Sequence, residues 1–449
     1  MNVLLLLLLA GLTHATRSFS AGGEPGSSGT SLAVGYLLVS GYFAGALAKK
    51  VGLPKLTGYL LTGIVVGPSA LGLLSQSMVD SLTLVNGMAI SMIALTAGTE
   101  LELARLRPLA RTVAGITIVG VLGTTVLLAL AVWFARPLLP FLADLNTTQA
   151  ISVSCVLGIV MVAQSPAVVV ALRDELRADG PISRTALAVV VLADLVVIFL
   201  FAIFSSLTTS TFGGSLNVLN TLGTLSWEIF GSLIAGALVG ALLVFYLRKI
   251  KRDAALMLLA VTFIVAEVGS RLGLDPLLVA LAAGALVRNA SEVADDLHDQ
   301  LQVSALPVYV LFFCVAGATL HIDALGQVWL PATLMVAVRG VGLLVGARLG
   351  ARLAGAPVAV QRYAGFGLLP QAGLALALSL MFQRTFPEFG AEAGALTLSI
   401  VALNELIAPV AYRFALIHSG EARKEPEPAD PPDPALPSLG SGHDGSVAR

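Results

Sequence analysis

A single carboxylate lies near the middle of a long apolar segment. Residues 185–207 read TALAVVVLADLVVIFLFAIFSSL, and Asp194 is the only charged residue among them. A helix of this length, at about 1.5 Å per residue, crosses a bilayer core of about 30 Å. An ionised Asp at mid-depth costs about 2.5–3.5 kcal/mol unless a cavity, an ion or a proton relieves it. Asp194 is therefore predicted to be a cation or proton site, and a polar partner within the helix bundle is the alternative.

Two apolar segments carry a proline with a glutamine close to it. The first contains Gln164, Ser165 and Pro166, and the second contains Pro370 and Gln371. Proline removes a backbone donor and frees carbonyl oxygens within a helix. Paired interrupted segments at corresponding positions of two halves are the best sequence indication of a transporter's site. The oxygens of Gln164, Ser165 and the freed carbonyls, together with Asp194, are the predicted ligands of Na+ or K+, since hard cations prefer oxygen.

Each interrupted segment precedes a segment with a central carboxylate, which is Asp194 after the first and Glu405 after the second. Pro409 follows Glu405 at four residues, so the Glu405 carbonyl has no helical donor. Arg339 also lies within an apolar segment. A buried Arg and a buried Glu are each costly alone, and a bidentate ion pair is the simplest relief. The sequence therefore predicts a core charge pair between Arg339 and Glu405, with a direct role in proton exchange as the alternative.

The composition is that of a helical membrane protein. Of the 449 residues, 57% are hydrophobic and 12% are charged, and the mean hydropathy is +0.91. Such a chain is too apolar for a water-soluble protein. The sequence has no basic cluster with interleaved aromatic residues, no GxGxxG and no hydrolase or metal-cluster motif. We therefore expect no nucleic-acid partner, no cofactor and no enzyme activity.

Apolar runs between breaking residues predict an all-α polytopic membrane protein with about thirteen transmembrane helices. With the start of the mature chain outside, four of the 26 Lys and Arg residues fall on the outer side and one, Arg339, falls within a span. This positive-inside bias predicts an inner (plasma) membrane protein with its N-terminus outside and its C-terminus in the cytoplasm. The predicted spans are residues 31–48, 56–74, 84–98, 110–134, 150–172, 185–207, 222–247, 254–270, 276–287, 304–320, 328–347, 364–382 and 393–412.

The two ends of the chain differ in composition from its centre. The short apolar run at the start predicts a signal peptide at residues 1–20, and an exterior leader follows at residues 21–31. The last residues, 417–449, are Pro-rich and polar, which predicts a disordered cytoplasmic tail.

The segment between these ends, residues 32–416, is the predicted membrane domain. It divides into a first repeat at about residues 32–207, a linker helix at 222–247 and a second repeat at about 254–416. An even number of spans in each half, with one helix between them, gives the halves opposite orientations. The sequence therefore predicts two inverted six-helix repeats.

Three further segments are specific when taken together. They are LPKLTGYLL at residues 53–61, AGTEL at residues 97–101, and Phe312 and Phe313 followed by Gly317. They resemble the second helix, the "aGlEl" ending and the "FF..vG" segment of the monovalent cation:proton antiporter superfamily, closest to its bacterial cation:proton antiporter-2 branch. The resemblance covers roughly residues 32–415.

This resemblance implies two broken helices that cross near an ion-binding Asp, in a core domain that moves against a dimerisation domain. On this basis the ion-binding carboxylate is Asp194, the first break falls on Gln164 and Ser165, and the basic residue of the eleventh span is Arg339. Many relatives place Asp, Asn or Gln directly before the ion-binding Asp, where this chain has Ala193. A single titrating carboxylate predicts electroneutral exchange of one cation for one proton. The dimerisation domain that the resemblance implies predicts a homodimer.

The leading hypothesis is a secondary antiporter that exchanges Na+ or K+ for H+ at Asp194 by alternating access. An Asp that faces a cavity holds either a cation or a proton, and this competition couples the two fluxes. One alternative is a sodium-coupled symporter for an organic anion, which would need more basic groups near the breaks than Arg339. Another is a channel or sensor without coupled transport, although the sequence has no carbonyl-filter motif.

Overall fold

The computed structural model of the chain describes residues 28–213, 223, 226–249, 254–291, 294–320, 322–371 and 373–422. Within these ranges the regular structure is entirely helical, and no strand occurs. The all-α prediction is therefore confirmed. The predicted signal peptide at residues 1–20 and residues 423–449 of the predicted tail lie outside the described residues.

The helices that correspond to the predicted spans are numbered α1 to α13, and the halves of the two broken helices are marked a and b. They are α1 Ser28–Lys50, α2 Lys55–Val66, α3 Thr83–Glu100, α4 Arg107–Phe134, α5a Thr147–Val162, α5b Pro166–Leu176, α6 Pro181–Thr211, α7 Trp227–Lys249, α8 Ala254–Leu272, α9 Pro276–Ala290, α10 Ala294–Ala318, α11 Ile322–Leu353, α12a Val358–Leu368, α12b Gly373–Thr385 and α13 Gly390–His418.

By length and composition, six of the described helices can cross a membrane: α4, α5, α6, α7, α11 and α13. Helix α12 becomes a seventh when its two halves, which are bent by 45°, count as one span. Five further helices are apolar but shorter, between 10 and 17 residues. These helices make the chain a multi-pass membrane protein, and the number of about thirteen spans stays a prediction.

The helices pack as two groups. Helices α4, α5, α6, α11, α12 and α13 contact one another, and we call them the site group. Helices α1, α2, α3, α8, α9 and α10 form a second set, which we call the flanking group, and α7 packs on α9. Each group takes helices from both halves of the chain, as expected when two repeats of opposite orientation interlock.

Small residues allow close packing within the flanking group. Gly98 of α3 lies against Gly284 of α9, and a Cβ added to Gly98 would be 2.3 Å from the Leu281 carbonyl oxygen. Membrane helices lack a hydrophobic force that drives them together in lipid, so close backbone approach through small residues stabilises such contacts. The flanking group is therefore tightly packed at this crossing.

The described ends of the membrane domain differ from their predicted positions. Helix α1 begins at Ser28, so the last residues of the predicted leader at 21–31 are helical. Its first residues include Ser and Thr, which are favoured at helix starts. At the other end α13 continues to His418, so the first residues of the predicted disordered tail are ordered.

The residues just after α13 hold the start of α6, the helix that carries Asp194. The carboxylate of Glu421 accepts hydrogen bonds from the backbone N–H groups of Ile182 (2.6 Å) and Ser183 (2.9 Å). A carboxylate at a helix N-terminus satisfies donors without helical partners and opposes the positive end of the helix dipole. Glu421, which lies 239 residues after Ile182 in the chain, therefore holds the N-terminal end of α6 in place.

Candidate ion-binding site

The first predicted break lies between α5a and α5b. Helix α5a ends at Val162, and the backbone is extended at Ala163 (ψ 146°) and Ser165 (ψ 104°). Pro166 then begins α5b as its first residue, where a missing N–H costs nothing. The Ser165 hydroxyl accepts a hydrogen bond from the Val168 N–H at 3.5 Å, so it caps the new half-helix. The break that Pro166 predicts is present in the structure.

The second predicted break lies between α12a and α12b. The first half ends in a tight 3₁₀ turn at Leu368, and regular helix resumes at Gly373. Leu369, Pro370 and Gln371 are not helical. As at the first break, the end of one half-helix leaves carbonyl oxygens without helical donors.

Arg339 of α11 joins the two breaks. Its Nε donates to the Met161 carbonyl at 2.8 Å and its Nη2 to the Ala163 carbonyl at 2.9 Å, both at the end of α5a. Its Nη1 donates to the Leu369 carbonyl at 2.7 Å, and Nη2 lies 3.4 Å from the Leu368 carbonyl. The side chain is fully buried. One planar guanidinium thus satisfies orphan carbonyls from two helix C-termini, whose dipoles also favour a cation.

The predicted ion pair between Arg339 and Glu405 is wrong. The donors of Arg339 point to backbone carbonyls, and both carboxylate oxygens of Glu405 are buried without a hydrogen-bond partner. The prediction failed because it considered only side chains as partners for the guanidinium. The interrupted helices supply backbone acceptors that carry partial negative charge and need donors just as much.

An amide pair adds a second connection between the breaks. The Nε2 of Gln371 donates to the Met161 carbonyl at 3.2 Å, and its Oε1 accepts from the Asn404 amide at 2.9 Å. Asn404 also donates to the Ile400 carbonyl in its own helix, α13. Sequence reasoning placed Gln371 at the break but missed Asn404, although a buried amide beside Glu405 was a usable signal.

Asp194 lies beside the first break and is almost completely buried. Its side chain is 6% exposed, its carboxylate faces the backbone N–H of Gln164, and its Oδ1 has no hydrogen-bond partner. Gln164 is 1% exposed, and neither its Oε1 nor its Nε2 has a partner. Buried polar atoms are nearly always satisfied, so three unsatisfied atoms on two neighbouring residues require an explanation.

A second carboxylate lies within electrostatic range of Asp194. Asp275 precedes α9, and its Oδ1 accepts a hydrogen bond from the Leu277 N–H at 2.8 Å. A charge on Asp275 would act on Asp194 as well. Across the described part of the chain, no group of three His, Cys, Asp or Glu side chains could hold a metal ion.

Comparisons with known proteins assign the chain to a family. Residues 33–417 match the family described as sodium/hydrogen exchanger, transmembrane. The chain belongs to the sodium/hydrogen exchanger family. It is therefore a transporter of the cation:proton antiport type, as the sequence resemblance predicted.

Individual relatives agree with this assignment. The chain is 25% identical to the Na(+)/H(+)-K(+) antiporter GerN of Bacillus cereus over 357 residues, which cover 77% of this chain and 86% of GerN. It is 23% identical to the probable Na(+)/H(+) antiporter GerT of the same species, over 76% of this chain and 88% of GerT. Its fold is similar to the sodium proton antiporter MjNhaP1 of Methanocaldococcus jannaschii, with a TM-score of 0.63, 18% identity and coverage of 87% and 96% of the two chains.

Proposed function

We propose that the chain exchanges a monovalent cation, with Na+ preferred and K+ possible, for H+ at Asp194. The observation that carries this proposal is the set of unsatisfied polar atoms on Asp194 and Gln164. A partly dehydrated cation would take the free Oδ1 of Asp194 and the Oε1 of Gln164, and a carbonyl of the break or Ser165 could add a further oxygen. Oxygen ligands around one carboxylate suit a hard monovalent cation.

Exchange follows from competition for the same carboxylate. A buried Asp194 needs either a proton or a cation to neutralise it, and both cannot occupy the same oxygen. Ala193 adds no carboxylate directly before Asp194, so the site carries the same net charge in both loaded states when Asp275 keeps one protonation state through the cycle. The donors of Arg339 are engaged by carbonyls in this structure. We therefore propose one cation exchanged for one proton, without net charge movement.

We also propose the membrane location, the orientation and the oligomeric state of the protein. The distribution of Lys and Arg supports an inner-membrane location with the N-terminus outside and the C-terminus in the cytoplasm. A homodimer is proposed from the family resemblance. The organic-anion symporter is less favoured, because Arg339, the basic residue at the breaks, already donates to the carbonyls of both broken helices.

Dye-reported proton movement in reconstituted vesicles tests this function. Vesicles that hold the protein and a proton gradient receive Na+, K+ or Li+ in turn, and the dye reports whether protons leave as each cation enters. We expect proton movement with Na+ or K+ and none with choline. Proton movement that requires an organic anion, or cation flux without protons, would contradict the proposal.

A further inference from the structure

The two carboxylates at the end of α5b contact the flanking group. Helix α5b begins at the break beside Asp194 and ends at Leu176, so its 11 residues span about 16 Å. Asp174 and Glu175 lie near its far end. This short helix therefore connects the predicted binding site with the flanking group.

Asp174 is held by a tyrosine of the flanking group. The hydroxyl of Tyr309 in α10 donates to Asp174 Oδ2 at 2.8 Å. Tyr309 is buried, so water competes little for this bond. Hydrogen bonds to a charged partner are about twice as strong as those between neutral groups.

Glu175 is held by the start of α2. The Lys55 backbone N–H donates to both carboxylate oxygens of Glu175, at 2.9 Å and 3.2 Å. This N–H is among the first donors of a helix, where the helix dipole also attracts negative charge. A third contact lies close by, where Arg413 of α13 donates to the Gly52 carbonyl in the turn before α2.

The part of α6 just after Asp194 makes a different kind of contact. There Ile198 and Ala202 of α6 pack against Ile229 of α7 and Leu374 of α12b. Apolar side chains slide past one another at low cost, whereas a hydrogen bond to a carboxylate must be broken before its partners separate. The contacts of α5b with the flanking group and those of α6 with α7 therefore differ in how they resist movement.

We propose that Asp174 and Glu175 form a polar latch that keeps Asp194 closed to the cytoplasm. Access to a midplane site from alternating sides requires one helix group to move against the other. Opening toward the loops rich in Lys and Arg separates α5b from α2 and α10, so both carboxylates release their donors in each cycle. This inference rests on the proposed function through the need for alternating access and through the proposed orientation of the chain in the membrane.

The rate of cysteine labelling measures how accessible position 194 is from each side of the membrane, and it does not depend on transport. The reporter is Asp194→Cys in a chain that also carries Cys155→Ser and Cys314→Ala. A membrane-impermeant thiol reagent is added to right-side-out and to inverted membrane vesicles. We expect the latch variants Tyr309→Phe and Glu175→Gln, added together, to raise the labelling rate from the side of the C-terminus about tenfold. Labelling from the other side should fall.

Glu102→Gln is the matched control. Glu102 forms an ion pair with Arg288 of α9 at 3.1 Å, a contact of the flanking group and not one made by α5b. Tyr36→Phe controls for the loss of a buried tyrosine hydroxyl in the same group. Thermal stability in detergent confirms that each variant is folded.

Two results would contradict the proposal that Asp174 and Glu175 form a latch. Labelling rates of the folded latch variants that equal those of the controls would show that the contacts do not hold the boundary closed. An equal rise from both sides would show general loosening instead of a one-sided gate. Neither result bears on whether Asp194 binds the cation, because the reporter variant carries no carboxylate there.

Discussion

The two helix breaks are alike in sequence and differ in how their polar groups are satisfied. At the first break, neither polar atom of the Gln164 side chain has a partner, and Oδ1 of Asp194, whose carboxylate faces the Gln164 backbone N–H, is also unsatisfied. At the second, Gln371 bonds to both Met161 and Asn404. A glutamine near a proline thus serves two purposes in one chain. The first break leaves polar atoms free for a ligand, and the second uses them to hold the crossing together.

Removal of the Asp194 charge is expected to have the largest effect on function. Asp194→Asn keeps the shape of the side chain but can neither release a proton nor neutralise a cation. We expect exchange in reconstituted vesicles to fall to the level of empty vesicles, with insertion and folding retained. Glu405→Gln is the control, because Glu405 is also buried and lies outside the proposed site. Normal exchange by Asp194→Asn would show that the first break is not the ion site.

Removal of Arg339 is expected to have the largest effect on stability. Arg339→Met leaves the carbonyls of Ala163 and Leu369 without this donor, whereas the Met161 carbonyl keeps its bond from Gln371. Each unsatisfied buried group costs about 1–3 kcal/mol. We expect a loss of about 3–5 kcal/mol, measured by thermal unfolding in detergent. Arg339→Lys should recover little, because a point charge cannot reach both breaks at once.

A double change separates the observed contacts of Arg339 from the pair that the sequence predicted. Since Glu405 does not contact Arg339 in the structure, the effects of Arg339→Met and Glu405→Gln should add within about 0.5 kcal/mol. Recovery of stability in the double variant would indicate that the two side chains interact after all.

Matched changes at the two glutamines sharpen the comparison of the breaks. Gln164→Leu removes an amide without partners, so stability should change by less than about 1 kcal/mol while the KM for the cation rises severalfold. Gln371→Leu removes two hydrogen bonds and should cost about 1–3 kcal/mol with a smaller change in KM. Thermal unfolding and transport assays of both variants distinguish the two roles. A large loss of stability in Gln164→Leu together with a large rise in KM in Gln371→Leu would exchange the roles of the two breaks.

The turn that follows each broken helix gives the smallest predicted effect. After the first, Asp179 bonds to Arg184 at 2.8 Å and to Arg173 at 3.1 Å, whereas Phe386 and Phe389 stack after the second. The Arg184 guanidinium beside Asp179 holds the pKa of that carboxyl below its usual range. The interaction of Asp179 with Arg184 therefore stabilises the folded state at pH values above about 3.9, the pKa of Asp in the unfolded chain. This contribution is lost as the pH falls through the lower pKa that Asp179 has in the folded state.

Asp179→Asn tests this small contribution. The side chain is 38% exposed, so solvent screening limits the loss at pH 7 to less than about 1 kcal/mol. Thermal unfolding of the variant and the parent should differ slightly at pH 7 and converge in strong acid. A difference that persists unchanged in acid would show that packing, and not charge, is responsible.

Local sequence signals predicted the helices and both breaks. Proline acts on the backbone of its own segment, so Pro166 and Pro370 could be interpreted without tertiary information. Asp194 was identifiable because a charge within an apolar span is costly wherever the helix packs. Its carboxylate faces the backbone N–H of Gln164, and the ligand set of Asp194, Gln164 and Ser165 stays a prediction.

The partners of the buried charges could not be predicted from the sequence. The acceptors of Arg339 are backbone carbonyls, and a carbonyl oxygen is present at every residue, so no residue type marks them. Asn404 and Tyr309 contact residues 33 and 135 positions away. Such contacts depend on how the two halves of the chain pack, and a single sequence carries no direct record of that packing.

Proton release on cation binding tests the central claim most directly. Purified protein in weakly buffered detergent solution, at a pH where the site is protonated, receives Na+ or K+ while a pH indicator records released protons. The account predicts close to one proton released per bound cation in the parent and in Glu405→Gln, and none in Asp194→Asn. Cation binding without proton release, or full release from Asp194→Asn, would contradict competition between cation and proton at Asp194.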